Sequence, residues 1–101
     1  MELVLLIKSE DYPKLKDILL KDDIVSRASI QFKDGKEFGK EGYVCYMSGL
    51  EEQCKKALEL IKDENGKILA EEIKGKDKEN IINKFKEEED KAMEGFGGIF
   101  G

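Results

Sequence analysis

Residues Glu2–Lys8 read ELVLLIK, five consecutive aliphatic side chains between two charged ones. A strand exposed on one face alternates apolar and polar residues, because successive side chains point to opposite sides. This stretch does not alternate, so it suits a strand covered on both faces or one central in a sheet. Ser9-Glu10-Asp11-Tyr12-Pro13 follows and reads as a helix start. Ser9 or Asp11 can accept a first-turn N–H, acidic groups suit the positive helix end, and proline is tolerated there. Tyr12, Leu15, Ile18 and Leu19 then define one buried stripe, ending near Lys21-Asp22-Asp23.

Further along, Ile24–Phe32 resumes a period of two, with Ala28, Ile30 and Phe32 opposite Arg27, Ser29 and Gln31. Asp34-Gly35 is a turn signal, and Tyr43–Met47 reads as the returning strand. The two make a hairpin with a long charged tip over residues 33–41, whose Phe38 either folds onto the domain or meets a partner. Ser48 is a candidate N-cap for a second helix carrying Leu50, Cys54, Ala57, Leu58 and Ile61 on one side. Asn65-Gly66 closes that helix, since both residues accept a left-handed backbone. Lys67–Lys74 is a fourth strand whose charged face suits a sheet edge. Asp77 starts a third helix running to about Met93, with Ile81, Ile82 and Phe85 inward. The last stretch, Gly95–Gly101, mixes glycine with Phe96, Ile99 and Phe100.

The order strand, helix, strand, strand, helix, strand, helix predicts an α+β domain. Right-handed crossovers place the first two helices on one face of a four-stranded antiparallel sheet, the ferredoxin-like βαββαβ sandwich. Residues 1–74 form this sandwich; residues 75–101 add a C-terminal helix and a short apolar tail packed on the same domain.

Several stretches resemble an ACT-type domain of that fold: the aliphatic first strand, Asp11-Tyr12-Pro13-Lys14-Leu15 opening a helix, Ile24–Ile30, and Leu50–Leu58. ACT domains are regulatory modules that bind amino acids or other small effectors, often across a dimer interface. The resemblance implies a ligand site at the first strand–helix turn, over Ser9, Asp11 and Lys14. Lys14 stands where that family commonly has a small residue after the proline.

Composition narrows the chemistry. The chain has 101 residues, 41% of them charged, with a net charge of −5. That balance disfavours binding to a phosphate backbone, which needs clustered Lys and Arg. With no histidine, Ser–His and Cys–His nucleophiles are excluded, and nothing marks a catalytic residue, a cofactor or a metal. The acidic run Glu87-Glu88-Glu89-Asp90 spreads around a helix, where neighbouring lysines pair with it. Cys45 and Cys54, nine positions apart, fit no metal spacing. They are either buried free thiols or one bridge. Abundant Lys and Glu with few Gln and Asn leans towards a thermophilic source. No stretch approaches the ~20 apolar residues that span a bilayer, and Met1-Glu2 leads directly into a strand, so the cytoplasm is the expected location.

What remains is a non-enzymatic binding or regulatory module that self-associates as a dimer or meets a protein partner. Three large apolar side chains in the tail, left in water, would form a patch with a purpose. Phe96, Ile99 and Phe100 are therefore the interface candidates, docking either on their own domain or on a second subunit. An amino-acid or nucleotide effector site is the alternative. RNA binding on the open sheet face is the weakest reading, because Tyr43 and Tyr46 alternate across their strand and offer no aromatic platform.

Overall fold

A computed structural model describes residues 1–100 of the chain, with side chains as far as Glu87. Four strands, β1 (Glu2–Ile7), β2 (Ser29–Asp34), β3 (Tyr43–Ser48) and β4 (Ala70–Glu72), form one sheet in the order β2-β3-β1-β4. Every neighbouring pair is antiparallel. The helices are α1 (Tyr12–Lys21), α2 (Glu51–Leu60) and α3 (Gly75–Phe100). This α+β arrangement is compatible with a ferredoxin-like sandwich.

The aliphatic run of β1 occupies an inner position, and its residues serve two separate cores. Leu3, Leu5 and Ile7 pack with Leu15 and Leu19 of α1 and with Cys54 and Ala57 of α2. On the opposite face, Val4 joins Val44, Tyr46, Ile81, Ile82 and Phe85, so α3 covers that side. This is the physical reason the run lacks alternation: both faces of the strand are packed, with Leu6 alone of the five aliphatic side chains partly exposed.

The second strand starts later than the period of two predicts. Val25–Arg27 is a turn of 3₁₀ helix, and β2 begins at Ser29. The Asp22 carboxylate accepts the Ile24 and Val25 amides at 3.0 and 2.9 Å. That side chain offers the backbone a tighter alternative to the extended ladder. From Ala28 onward the expected alternation holds, with Ala28, Ile30 and Phe32 packed against the α1/α2 core.

Ser48 is not a helix cap; it is the last residue of β3, paired with Ser29 and Glu2. Leu50 occupies the N-cap, where the Gln53 side-chain oxygen accepts the Leu50 amide at 2.8 Å. Gln53 is consequently buried, while Leu50 is exposed. The second helix ends at Leu60, before Asn65-Gly66. Gly66 instead turns a loop closed by Asp63 Oδ1, which accepts the Asn65 and Lys67 amides at 2.9 and 2.8 Å. The fourth strand is three residues long and lies at an edge. Its predicted beginning is tied to the end of α2 instead, where the Leu69 amide donates to the Ile61 carbonyl at 2.6 Å.

The hairpin tip folds onto the domain. Gly35–Phe38 forms a 3₁₀ turn, and Phe38 stacks on Phe85 with ring centroids 5.6 Å apart. Lys40 pairs with Asp77 at 3.1 Å, and Lys84 donates to the Glu37 carbonyl. The tip is thereby fastened to α3. Helix α3 starts two residues before Asp77 and runs to Phe100, through the described part of the stretch read as a tail. The side chains of Phe96, Ile99 and Phe100 lie outside the described residues.

Candidate functional site

The β1–α1 turn is built by one carbonyl. Lys8 accepts the amides of Asp11 and Tyr12, each at 3.0 Å, so Ser9 and Glu10 are turned outwards at the end of the sheet. The chain returns there from the β2–β3 hairpin as Glu41-Gly42-Tyr43. Three open clefts meet at Ser9. One of ≈ 330 Å³ lies between Lys8, Ser9, Glu10 and Glu41-Gly42. A second of ≈ 410 Å³ reaches Asp34, Lys36 and Lys40. The third, ≈ 260 Å³, is walled by Tyr12, Pro13, Lys16 and Tyr43. Such volumes lie around the lower end of the range for small-ligand sites.

Asp11 and Lys14 do not join Ser9 in these clefts. Asp11 is buried, and its Oδ1 lies 3.2 Å from Lys67 Nζ; among the described residues its buried Oδ2 has no hydrogen-bond partner. Lys14 Nζ lies 3.6 Å from Asp63 Oδ2. The two ion pairs cross-link the start of α1 to the α2–β4 loop. Their electrostatics agree with that geometry. The hydrogen bond to Asp11 raises the Lys67 pKa above the usual lysine range. The Lys67 amide, helped by the Asn65 amide and Lys14, holds the Asp63 carboxyl below its ordinary value. Ser9 therefore belongs to a cleft, whereas Asp11 and Lys14 belong to a clasp.

A second surface lies along β2. Tyr12 stacks on Phe32 at 5.6 Å and meets Tyr43 edge-on at 3.7 Å. Lys16 Nζ sits 5.5 Å above Tyr12 and 5.9 Å above Phe32. Tyr12, Lys16 and Leu20 are spaced by four and share one ridge of α1. Leu20 is 46% exposed and Ile24, just beyond the helix, 42%. The stripe of inward residues on α1 gave no notice of this outer ridge. Its sequence signal is the four-residue spacing from Tyr12 to Leu20 and on to Ile24.

The sheet face opposite α1 and α2 is occupied by α3 over Val4, Val44 and Tyr46, the face an RNA platform would need. Tyr46 donates its hydroxyl to Glu2 and packs on Phe85 at 5.3 Å. Both cysteines are free and buried. Burial pushes the Cys45 thiol up to about 12 and raises that of Cys54. Among the described residues, no group of three or more His, Cys, Asp and Glu could hold a metal ion, and no helix is long and apolar enough to cross a membrane.

Neither a protein-family model, nor a curated protein, nor a solved structure matches this chain.

Proposed function

We propose that this chain is a small cytoplasmic, non-enzymatic binding module of ferredoxin-like βαββαβ architecture that self-associates, with a dimer as its working form. The observation that carries the reading is the flank of β2. A six-residue strand ends the sheet on that side, bordered by the exposed apolar side chains of Leu20 and Ile24. Exposed strand edges are templates for pairing with another chain. The tail residues Phe96, Ile99 and Phe100 supply a second candidate surface for the same association. Light scattering over a range of concentrations tests the reading, on the full chain and on a chain shortened after Glu94. A dimer in both favours the β2 flank, and a dimer in the full chain alone favours the tail. A monomer throughout refutes self-association.

A second reading is an ACT-like effector site, supported by the clefts that meet at Ser9. Lys8 and Lys36 beside Glu10 and Glu41 offer both signs of charge, which suits a zwitterion such as an amino acid. A ligand bound there raises the melting temperature by mass action. A thermal-shift series with amino acids and nucleotides at millimolar concentration is the check; a flat series counts against the site.

A further inference from the structure

We infer that β2 pairs with β2 of a second copy in one register, with a two-fold axis through Gln31. This rests on the self-association reading and specifies the surface and its alignment.

The backbone decides which residues can pair. The Gly35 amide donates to the Gly42 carbonyl at 2.7 Å, continuing the β2–β3 register in which Lys33 faces Val44 and Gln31 faces Tyr46. In an antiparallel ladder, hydrogen-bonded pairs alternate with non-bonded ones. Ser29, Gln31 and Lys33 therefore spend their backbone groups on β3. Met1 and Gly49 give an independent check. The Met1 ammonium donates to the Gly49 carbonyl at 2.9 Å and the Gly49 amide to the Met1 carbonyl at 3.1 Å, which directs the odd-numbered residues of β3 to β1 and the even-numbered ones to β2. The amides and carbonyls of Ile30 and Phe32 consequently point to the outer edge, where no strand lies among the described residues.

The two edges of the sheet differ in protection. Natural edges are blunted by shortness, charge, proline or bulges. The β4 edge is three residues long and carries Glu71 and Glu72. The β2 edge is six residues long, has no proline, and keeps an unbroken register with β3. Its lysine does not guard it either: Lys33 Nζ lies over the sheet face, 5.4 Å from the Phe85 ring.

Side-chain complementarity then selects the register. A two-fold axis normal to the sheet keeps residues opposite one another on the same face, so only even sums of paired residue numbers are allowed. With Gln31 opposite Gln31, Ile30 faces Phe32 of the second copy and Ser29 faces Lys33. The outward backbone groups of Ile30 and Phe32 meet as hydrogen-bonded pairs, and their side chains share the α1 face beneath the Tyr12–Leu20 ridge. Sliding by one residue about the axis in one direction leaves only Ser29–Gln31 of the strand paired and brings Lys33 towards the 3₁₀ turn that ends at Arg27, a like charge. Sliding the other way sets the Asp34 carboxylate against Ile30. Directly opposed like charges are destabilising and apolar pairs favourable, so the Gln31-centred register is the matched one.

The test is a symmetric crosslink in the full chain. Gln31 opposite itself is a non-hydrogen-bonded pair, with Cα atoms about 4.5 Å apart, inside the range a disulfide spans. Gln31→Cys under mild oxidation is expected to form a covalent dimer at least about tenfold faster than Ser29→Cys, whose copies lie off the axis. The native thiols are buried and do not compete. Circular dichroism confirms that both variants fold. If the native chain dimerises but Gln31→Cys crosslinks no faster than Ser29→Cys, the β2 register is wrong and another surface, the tail foremost, carries the dimer. If the native chain is monomeric by light scattering at every concentration, the pairing and the self-association reading fail together.

Discussion

Gly42 passes so close to the end of β1 that a Cβ on it would stand 2.2 Å from the Ile7 carbonyl oxygen, and its φ is +86°. Contact with main chain cannot be relieved by rotating a side chain, so the hairpin return depends on glycine there. Gly42→Ala is expected to cost about 2–4 kcal/mol, the sum of backbone strain and a forced shift of strand β1. Gly39 is the comparison, because its φ is +69° but nothing lies within 4 Å of its would-be Cβ. Gly39→Ala is expected to cost about 1 kcal/mol, from the left-handed backbone alone. Urea titrations of both variants measure the difference; equal costs would disprove the close-approach argument.

The third helix is part of the core, not an appendage. Phe85 is fully buried and touches Phe38 and Tyr46. Phe85→Ala should destabilise the fold by about 3–5 kcal/mol through the lost contacts and the cavity left behind. Phe38 is only partly buried, and Phe38→Ala should cost about 1–2 kcal/mol, chiefly the ring pair and the loosened hairpin tip. Equilibrium unfolding monitored by circular dichroism gives both values. An unaffected Phe85→Ala variant would mean that α3 does not seal the sheet.

Acid should loosen the clasp between α1 and the α2–β4 loop. The folded pKa of Asp63 is depressed below 3.8, first by the Lys67 amide. A depressed carboxyl stabilises the folded state fully above its unfolded pKa, and that contribution disappears as pH falls through the folded value. Stability is therefore expected to be level in this respect above about pH 4–5 and to decline below it. Asp63→Asn removes the titration, so its stability should fall less steeply with acid than that of the native chain. Melting temperatures across pH 2.5–6 decide the matter, and parallel curves would exclude Asp63 as a source of the acid slope.

The two cysteines should be chemically silent in the folded state. The thiolate is the reactive form, and burial pushes Cys45 up to about 12 and raises Cys54, whose Sγ approaches the Met1 carbonyl at 3.7 Å. Iodoacetamide at pH 8 is expected to label neither at an appreciable rate until denaturant is added, after which both react. Rapid labelling of the native protein would contradict the burial of these side chains. A mass deficit of two hydrogens before labelling would show a bridge in place of free thiols.

The strongest patterns in the sequence were those that burial imposes on every residue of an element. The unbroken aliphatic run of β1 announced a strand that is central or covered on both sides, and the stripes on α1 and α2 announced their inward faces. The inward positions of Ile81, Ile82 and Phe85 were legible too. Local hydrogen bonds that override periodicity were harder to see. Asp22 draws Val25–Arg27 out of the strand, and Gln53 caps α2 at Leu50 in place of Ser48, because one side-chain oxygen outweighs a hydrophobic pattern at an element's end. The proposed ligand residues divided for a related reason. Ser9, Asp11 and Lys14 are neighbours in sequence, but a helix start turns successive side chains in different directions. Asp11 and Lys14 met partners on a loop more than forty residues away, which no local spacing could announce.

The placement of β1 also governs how the protein must assemble. It is the first strand along the chain yet an inner strand of the sheet, so its partners β3 and β4 arrive only after long intervening segments. The β2–β3 hairpin can zip on its own, since residues 35–42 alone separate its strands. Capture of β1 requires closing a much longer loop, and that entropy is spent before any of its contacts form. The slow event in refolding is then expected to be the insertion of β1 between a preformed hairpin and β4, with both hydrophobic layers completed together in that one step.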